Sequence, residues 1–262
     1  MQEVQYFCSN CRTVFDNLSS GSHVLCEEPC PTCGASLEQS LQKAASSHQK
    51  PVFVRASKIS KITLGIERLD AILPFLSLNQ VVAVIGDDSQ KIVERLCIRS
   101  QLSERYGGFG SKAVVIDCGN STDVYLCVSF ARKYGLDPNE SLSKIITARA
   151  FTIHQITSLV DQLPQLVSEH RSKLVVLSDL LAMFSDPYLD QKESKKILSH
   201  IMSALSEIRD CLVVISITDT AGVDPLIFKS ITKVIQITRE SRQLQVQVGN
   251  AKQIIRDLDL VR

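Results

Sequence analysis

The sequence predicts an α/β protein: a mainly parallel sheet flanked by helices, preceded by a small four-cysteine module. Three observations carry this. Short β-branched runs alternate with amphipathic helical stretches from about Phe53 onward. Five of the nine cysteines fall within the first 33 residues. The composition, 44% hydrophobic and 22% charged over 262 residues, suits one packed domain plus an appendage.

The cysteine module comes first. Cys8-Ser-Asn-Cys11 and Cys30-Pro-Thr-Cys33 are two C-x-x-C turns with 18 residues between them. Each turn offers two thiolates on one tight loop, and two such turns complete a tetrahedral Zn²⁺ shell. Residues 1–40 are therefore expected to form a zinc ribbon with Cys8, Cys11, Cys30 and Cys33 as ligands and Zn²⁺ in a structural role. Cys26 is the alternative to Cys30. Residues 37–51 are polar and contain a Ser-Ser break, and 41–56 read as the linker.

Residues 57–262 form the second domain. Runs at 81–86, 112–117, 144–150, 173–178, 212–216 and 233–238 are short and nearly continuously apolar, as in strands covered on both faces. The run 244–248 alternates, as an edge strand or final hairpin does. Between strands, 154–169 and 191–210 place apolar residues at helical spacing. Strand, helix, strand in this order implies right-handed crossovers and a parallel sheet.

No apolar run approaches the roughly 18 residues that span a bilayer, and the N-terminus lacks the basic start and apolar stretch of a secretory signal. The expectation is a cytoplasmic protein without membrane contact. The net charge of +1 gives no general argument for a nucleic-acid partner.

The order of segments resembles the RecA/RadA recombinase superfamily, and within it archaeal RadA-like paralogues. ITLGIERLDAILP from Ile62 leads into VVAVIGDDSQKIVERL, as the opening of that core leads into its phosphate loop. VVIDCGNSTDVYLCVSFARKYGLDP (114–138), ARAFTIHQITSLVDQL (148–163) and KLVVLSDLLAMF (173–184) are similar to the next core segments. The resemblance covers about 57–240 and implies a RecA-like fold with a role around DNA recombination or repair.

The nucleotide motifs depart from the family's pattern. A phosphate loop reads G-x-x-x-x-G-K-[ST], because successive N–H groups wrap the phosphates, Lys reaches the outer ones and Ser/Thr holds Mg²⁺. Here Gly86 opens the loop, Lys91 comes one residue early, and Gln90 and Ile92 stand for the second Gly and the Ser/Thr. Asp87 and Asp88 bring negative charge. The position of the metal-orienting aspartate is Ser178, with Asp179 one residue later, and the catalytic glutamate matches Gly119. The resemblance thus implies a vestigial nucleotide site at Gly86 and Lys91, no ATP cofactor and no ATP turnover.

Phe53-Val54-Arg55-Ala56 matches the F-x-x-A pattern by which recombinase linkers dock a neighbour, so Phe53 and Ala56 are interface candidates. The alternative has Phe53 packing on its own core. The leading functional reading is a non-catalytic binding or assembly component, with a RecA/RadA-type recombinase or other complex subunits as protein partner and DNA as a further one. An atypical ATPase and a scaffold subunit outside repair are the other readings.

Overall fold

A computed structural model of the chain describes residues 5–7, 14–16, 60–73, 75–186, 188–219, 225–240 and 243–256. The chain divides into two compact units, Met1–Ser57 and Lys58–Arg262. In the first, β1 (Gln5–Phe7) and β2 (Val14–Asp16) pair antiparallel, Gln5 opposite Asp16. Cys8, Cys11, Cys26, Cys30, Cys33, Phe53 and Ala56 lie outside the described residues.

The second unit opens with a small antiparallel pair, β3 (Lys61–Ile62) and β4 (Leu76–Ser77), around helix α1 (Glu67–Ile72). Its main sheet has eight strands: β5 (Val81–Ile85), β6 (Ala113–Asp117), β7 (Ile145–Arg149), β8 (Leu174–Ser178), β9 (Leu212–Ile217), β10 (Lys233–Glu240), β11 (Gln243–Val248) and β12 (Ala251–Arg256). They lie in the order β12-β11-β10-β5-β9-β8-β6-β7. The six strands from β10 to β7 run parallel, and β11 and β12 extend the sheet antiparallel. This is the mostly parallel, helix-flanked architecture of the RecA-like α/β fold.

The helices are α2 (Ser89–Arg99), α3 (Val124–Lys133), α4 (Pro138–Ser143), α5 (Ile153–His170) and α6 (Gln191–Glu207). Side chains alternate across each strand, so the sheet feeds two cores. On one face Val82, Val84, Val115 and Val176 pack with α1 and α2 through Leu69, Ile92 and Leu96. On the other, Ala83, Val114, Val175 and Val213 pack with α5 and α6 through Ile156, Val160, Ile201 and Leu205. A satellite cluster of Ile98, Cys127, Phe130 and Ala131 seats α3 on α2.

Helix α2 is therefore enclosed, and every residue from Ile92 to Arg99 is buried. That includes two arginines, whose guanidinium groups are held by backbone carbonyls. Arg95 donates to Leu64 O at 2.7 Å and Gly65 O at 3.0 Å. Arg99 donates to the carbonyls of Thr63, Tyr106 and Gly107 and to the Thr63 hydroxyl. Both stack against the Tyr134 ring. Burial pulls the Arg95 pKa down.

Among the described residues no helix is long and apolar enough to cross a membrane. The run 244–248 is an inner strand of a hairpin rather than the sheet edge, because β12 pairs outside it.

Candidate functional site

The parallel strands all point their carboxyl ends at one edge, where an open α/β sheet presents its crevice. The connection from β5 to α2 is Gly86-Asp87-Asp88, closed by a hydrogen bond from Ser89 N–H to Gly86 O at 3.0 Å. Gly86 has φ +119°, and its N–H donates to Ile217 O at 2.9 Å. A Cβ at this position would stand 1.9 Å from Ile237 O. The ends of β9 and β10 thus pinch the turn on both sides.

Asp88 precedes the first residue of α2 but does not cap the helix with its side chain. Its buried carboxylate instead meets Lys91 Nζ at 2.8 Å and Arg239 Nη2 at 2.6 Å. The turn thus sets a carboxylate at the positive end of an eleven-residue helix, paired with two cations. Only Asp87 and Asp88 separate Gly86 from the helix, so the connection is shorter than the motif's run between its two glycines.

Ser178 ends β8 and is fully buried. Its hydroxyl donates to Gln90 Oε1 at 2.7 Å and meets the Ser121 hydroxyl at 2.8 Å. The Ser216 hydroxyl donates to the same Gln90 oxygen at 3.2 Å. An amide and three hydroxyls therefore form one network at the end of β8. Gln90, not Ile92, faces Ser178: Ile92 is in the core at 0% exposure.

Asp179 leaves the strand altogether, at φ +50°. Its carboxylate accepts from Thr218 N–H at 3.0 Å, and its backbone N–H donates to Ser216 Oγ at 2.8 Å. It fills the space beside Gly119, where a Cβ would come within 2.7 Å of the Asp179 side chain. A glutamate at 119 has no room while Asp179 holds this position.

Acids collect beside this network. Asp117, fully buried, accepts from Ser121 N–H at 3.0 Å and meets Arg149 Nη2 at 3.5 Å. Glu94, 2% exposed, accepts from Gln90 Nε2 at 3.3 Å and from Asp123 N–H. Its other oxygen is buried without a partner. Burial, with smaller pushes from Asp123 and Asp117, raises the Glu94 pKa from 4.5 to about 7. Among the described residues no group of three or more His, Cys, Asp or Glu side chains is arranged to hold a metal.

The two candidates of the phosphate-loop pattern, Gly86 and Lys91, both lie where β5 turns into α2. Gly86 is a buried structural hinge, and Lys91 is partly exposed and turned onto Asp88. Lys192, Lys195 and Lys196 on α6 are exposed. Sequence reading missed Arg239 and Glu94, since neither motif nor periodicity marks them. It also missed three exposed aromatics in a chain where aromatics are only 5%. Tyr125, Phe151 and Tyr188, at 87%, 65% and 95% exposure, follow the carboxyl ends of the neighbouring strands β6, β7 and β8.

A family model described as Rad51 matches residues 55–230. The DNA repair and recombination protein RadA of Aeropyrum pernix is 26% identical over 183 residues, covering 67% of this chain and 57% of the relative. The DNA repair protein RAD51 of Saccharomyces cerevisiae is 25% identical over 164 residues, covering 60% and 41%. The RadA protein of Cenarchaeum symbiosum is 24% identical over 142 residues, covering 53% and 36%. The chain matches about half the length, or less, of these curated relatives.

Proposed function

Since this chain belongs to the Rad51 family, we propose that it serves DNA recombination or repair as a binding and assembly component that works without nucleotide. The observation that carries this reading is the Asp88 carboxylate between Lys91 and Arg239, in the three-residue turn that replaces a phosphate loop. The Gln90–Ser178–Ser216 network supports it, since phosphoryl transfer needs a metal held by a carboxylate and a lysine on the outer phosphates. The exposed aromatics in the connections that follow β6, β7 and β8 offer contact area for a protein partner, a RecA/RadA-type recombinase by analogy with the relatives; single-stranded DNA is the second candidate.

The test joins turnover to association. The purified chain should hydrolyse ATP no faster than buffer, and should bind its recombinase partner equally with and without ATP. Phe53→Ala should weaken that binding by about 2 kcal/mol, roughly thirtyfold, if the F-x-x-A segment docks on the partner. A saturable ATPase lost in Lys91→Ala refutes the reading. Unchanged affinity with a lowered melting temperature in Phe53→Ala assigns that ring to the chain's own core.

The paired cysteines support a structural zinc module in the same protein, and the β1–β2 hairpin, whose strands flank Cys8 and Cys11 in sequence, is in keeping with a zinc knuckle. Elemental analysis should find about one Zn²⁺ per chain, and Cys8→Ser should lose it. Metal-free protein with the hairpin intact would remove the assignment.

A further inference from the structure

The connection from β6 to α3 is held largely by carboxylates. Ser121 and Thr122 N–H donate to Asp117 at 3.0 and 3.4 Å, and Asp123 N–H donates to Glu94. Asp123 in turn accepts from Tyr125 N–H at 2.9 Å and Leu126 N–H at 3.1 Å. Five amides are therefore tied to three side chains, which come from β6, α2 and the connection itself. The first turn of α3 presents Val124 and Tyr125, 51% and 87% exposed. We propose that this connection is a proton-controlled latch, closed while Glu94 carries its proton and opening more often, with Tyr125, as Glu94 ionises.

Glu94 is the member of the three whose charge is hardest to keep in place. It is buried, and one of its oxygens has no partner. The acids facing it are Asp117 on β6 and Asp123 on the connection. The other titratable groups near it are the buried thiols of Cys97 on α2 and Cys127 on α3. Among the described residues the cation on this cluster is Arg149 of β7, and it meets Asp117, at 3.5 Å. Burial raises the Glu94 pKa to about 7, with Asp123 and Asp117 adding to the rise, while hydrogen bonds from Asp123 N–H and Gln90 pull the other way.

Opening the latch lets water reach this carboxylate, so the open form gives up its proton at lower pH than the closed form. Rising pH therefore favours opening. Opening also gives partners to the orphaned Glu94 oxygen and to Thr122 Oγ1, a second buried atom without one. With the ordinary pKa of 4.5 restored in the open form, its population grows about tenfold between pH 6 and pH 8 and levels off above. The consequence for a partner rests on the function proposed above. The latch is tested on the chain alone, so the two fail separately.

Amide hydrogen exchange on the full chain, read residue by residue at pH 6 and pH 8 and divided by the chemical exchange rate at each pH, is the experiment. The amides of Ser121, Thr122, Asp123, Tyr125 and Leu126 should exchange faster than those of Val114, Val115 and Ile116 in β6 at both values, because the latch opens without global unfolding. Their opening should rise about tenfold across the interval, and Glu94→Gln should flatten that rise. No rise in the parent chain overturns the proposal. Exchange in step with β6 also overturns it, since the opening is then global. A rise that persists in Glu94→Gln overturns it too, assigning the proton to another group.

Discussion

Gly86→Ala is expected to cost ~3 kcal/mol or more, enough to leave much of the domain unfolded at moderate denaturant. Two effects combine at this position. The backbone sits at φ +119°, which side-chain-bearing residues rarely adopt, and the new methyl would stand 1.9 Å from the Ile237 carbonyl oxygen. That oxygen belongs to β10, the strand paired directly with β5, so it cannot withdraw without opening the sheet. Gly249 supplies the control. It also has positive φ, at +57°, but nothing lies within 4 Å of its Cβ position. Gly249→Ala should therefore cost only ~1 kcal/mol. Urea melts of the two variants read the difference. Equal midpoints would mean that the strands do not pinch the turn.

The second large effect follows pH. Glu94 in the folded chain holds its proton to about pH 7, against 4.5 for an unburied carboxyl, chiefly because burial disfavours its charge. A folded pKa above the unfolded one gives stability that is fully present below about 4.5. As pH rises the unfolded chain gives up its proton first, so the loss builds from there and is complete above about 7. The difference corresponds to ~3 kcal/mol at most. Glu94→Gln removes the ionisation and keeps an acceptor for Gln90 Nε2 and Asp123 N–H. Its new amide hydrogens take the side where Glu94 has an unpartnered oxygen beside acidic neighbours. The variant should match the parent near pH 4.5 and exceed it by up to ~3 kcal/mol at pH 8. A variant whose stability falls across that window as steeply as the parent's would show that Glu94 is not the group responsible.

The sheet was legible because its inner strands are buried on both faces. Val175, Val176, Val213 and Val214 have no polar alternation to confuse the reading. Strand β12 was not seen, since polar Lys252, Gln253 and Arg256 break the apolar run, and its exposed face of Lys252, Ile254 and Arg256 mixes charge with one apolar residue. Helix α2 hid more. Glu94, Arg95 and Arg99 read as a solvated face by any periodicity argument, yet all three are buried, held by backbone groups tens of residues away in sequence. The candidate site was legible only as substitutions in a pattern. Ser178 and Gly119 could be matched by position, but the alternation rule that turned Asp179 to the opposite face assumed a strand, and the strand stops at Ser178. Nor does counting residues along the motif pick out Gln90 as the α2 residue that meets Ser178. Local spacing assumes a loop of standard length, and the loop is the part that changed.

The turn at Asp88 has a consequence for competition. A phosphate arriving from solution would have to displace a carboxylate tethered to the same two cations, and a short tether holds its group at an effective concentration of millimolar order or above. Free nucleotide must exceed that figure before it contends on equal terms. Such a rival neither dilutes nor diffuses away, so fluctuations in nucleotide supply below that level leave the Lys91–Asp88–Arg239 contact in place. Under the function proposed above, timing in an assembly containing this chain falls to the dissociation rate of its interfaces.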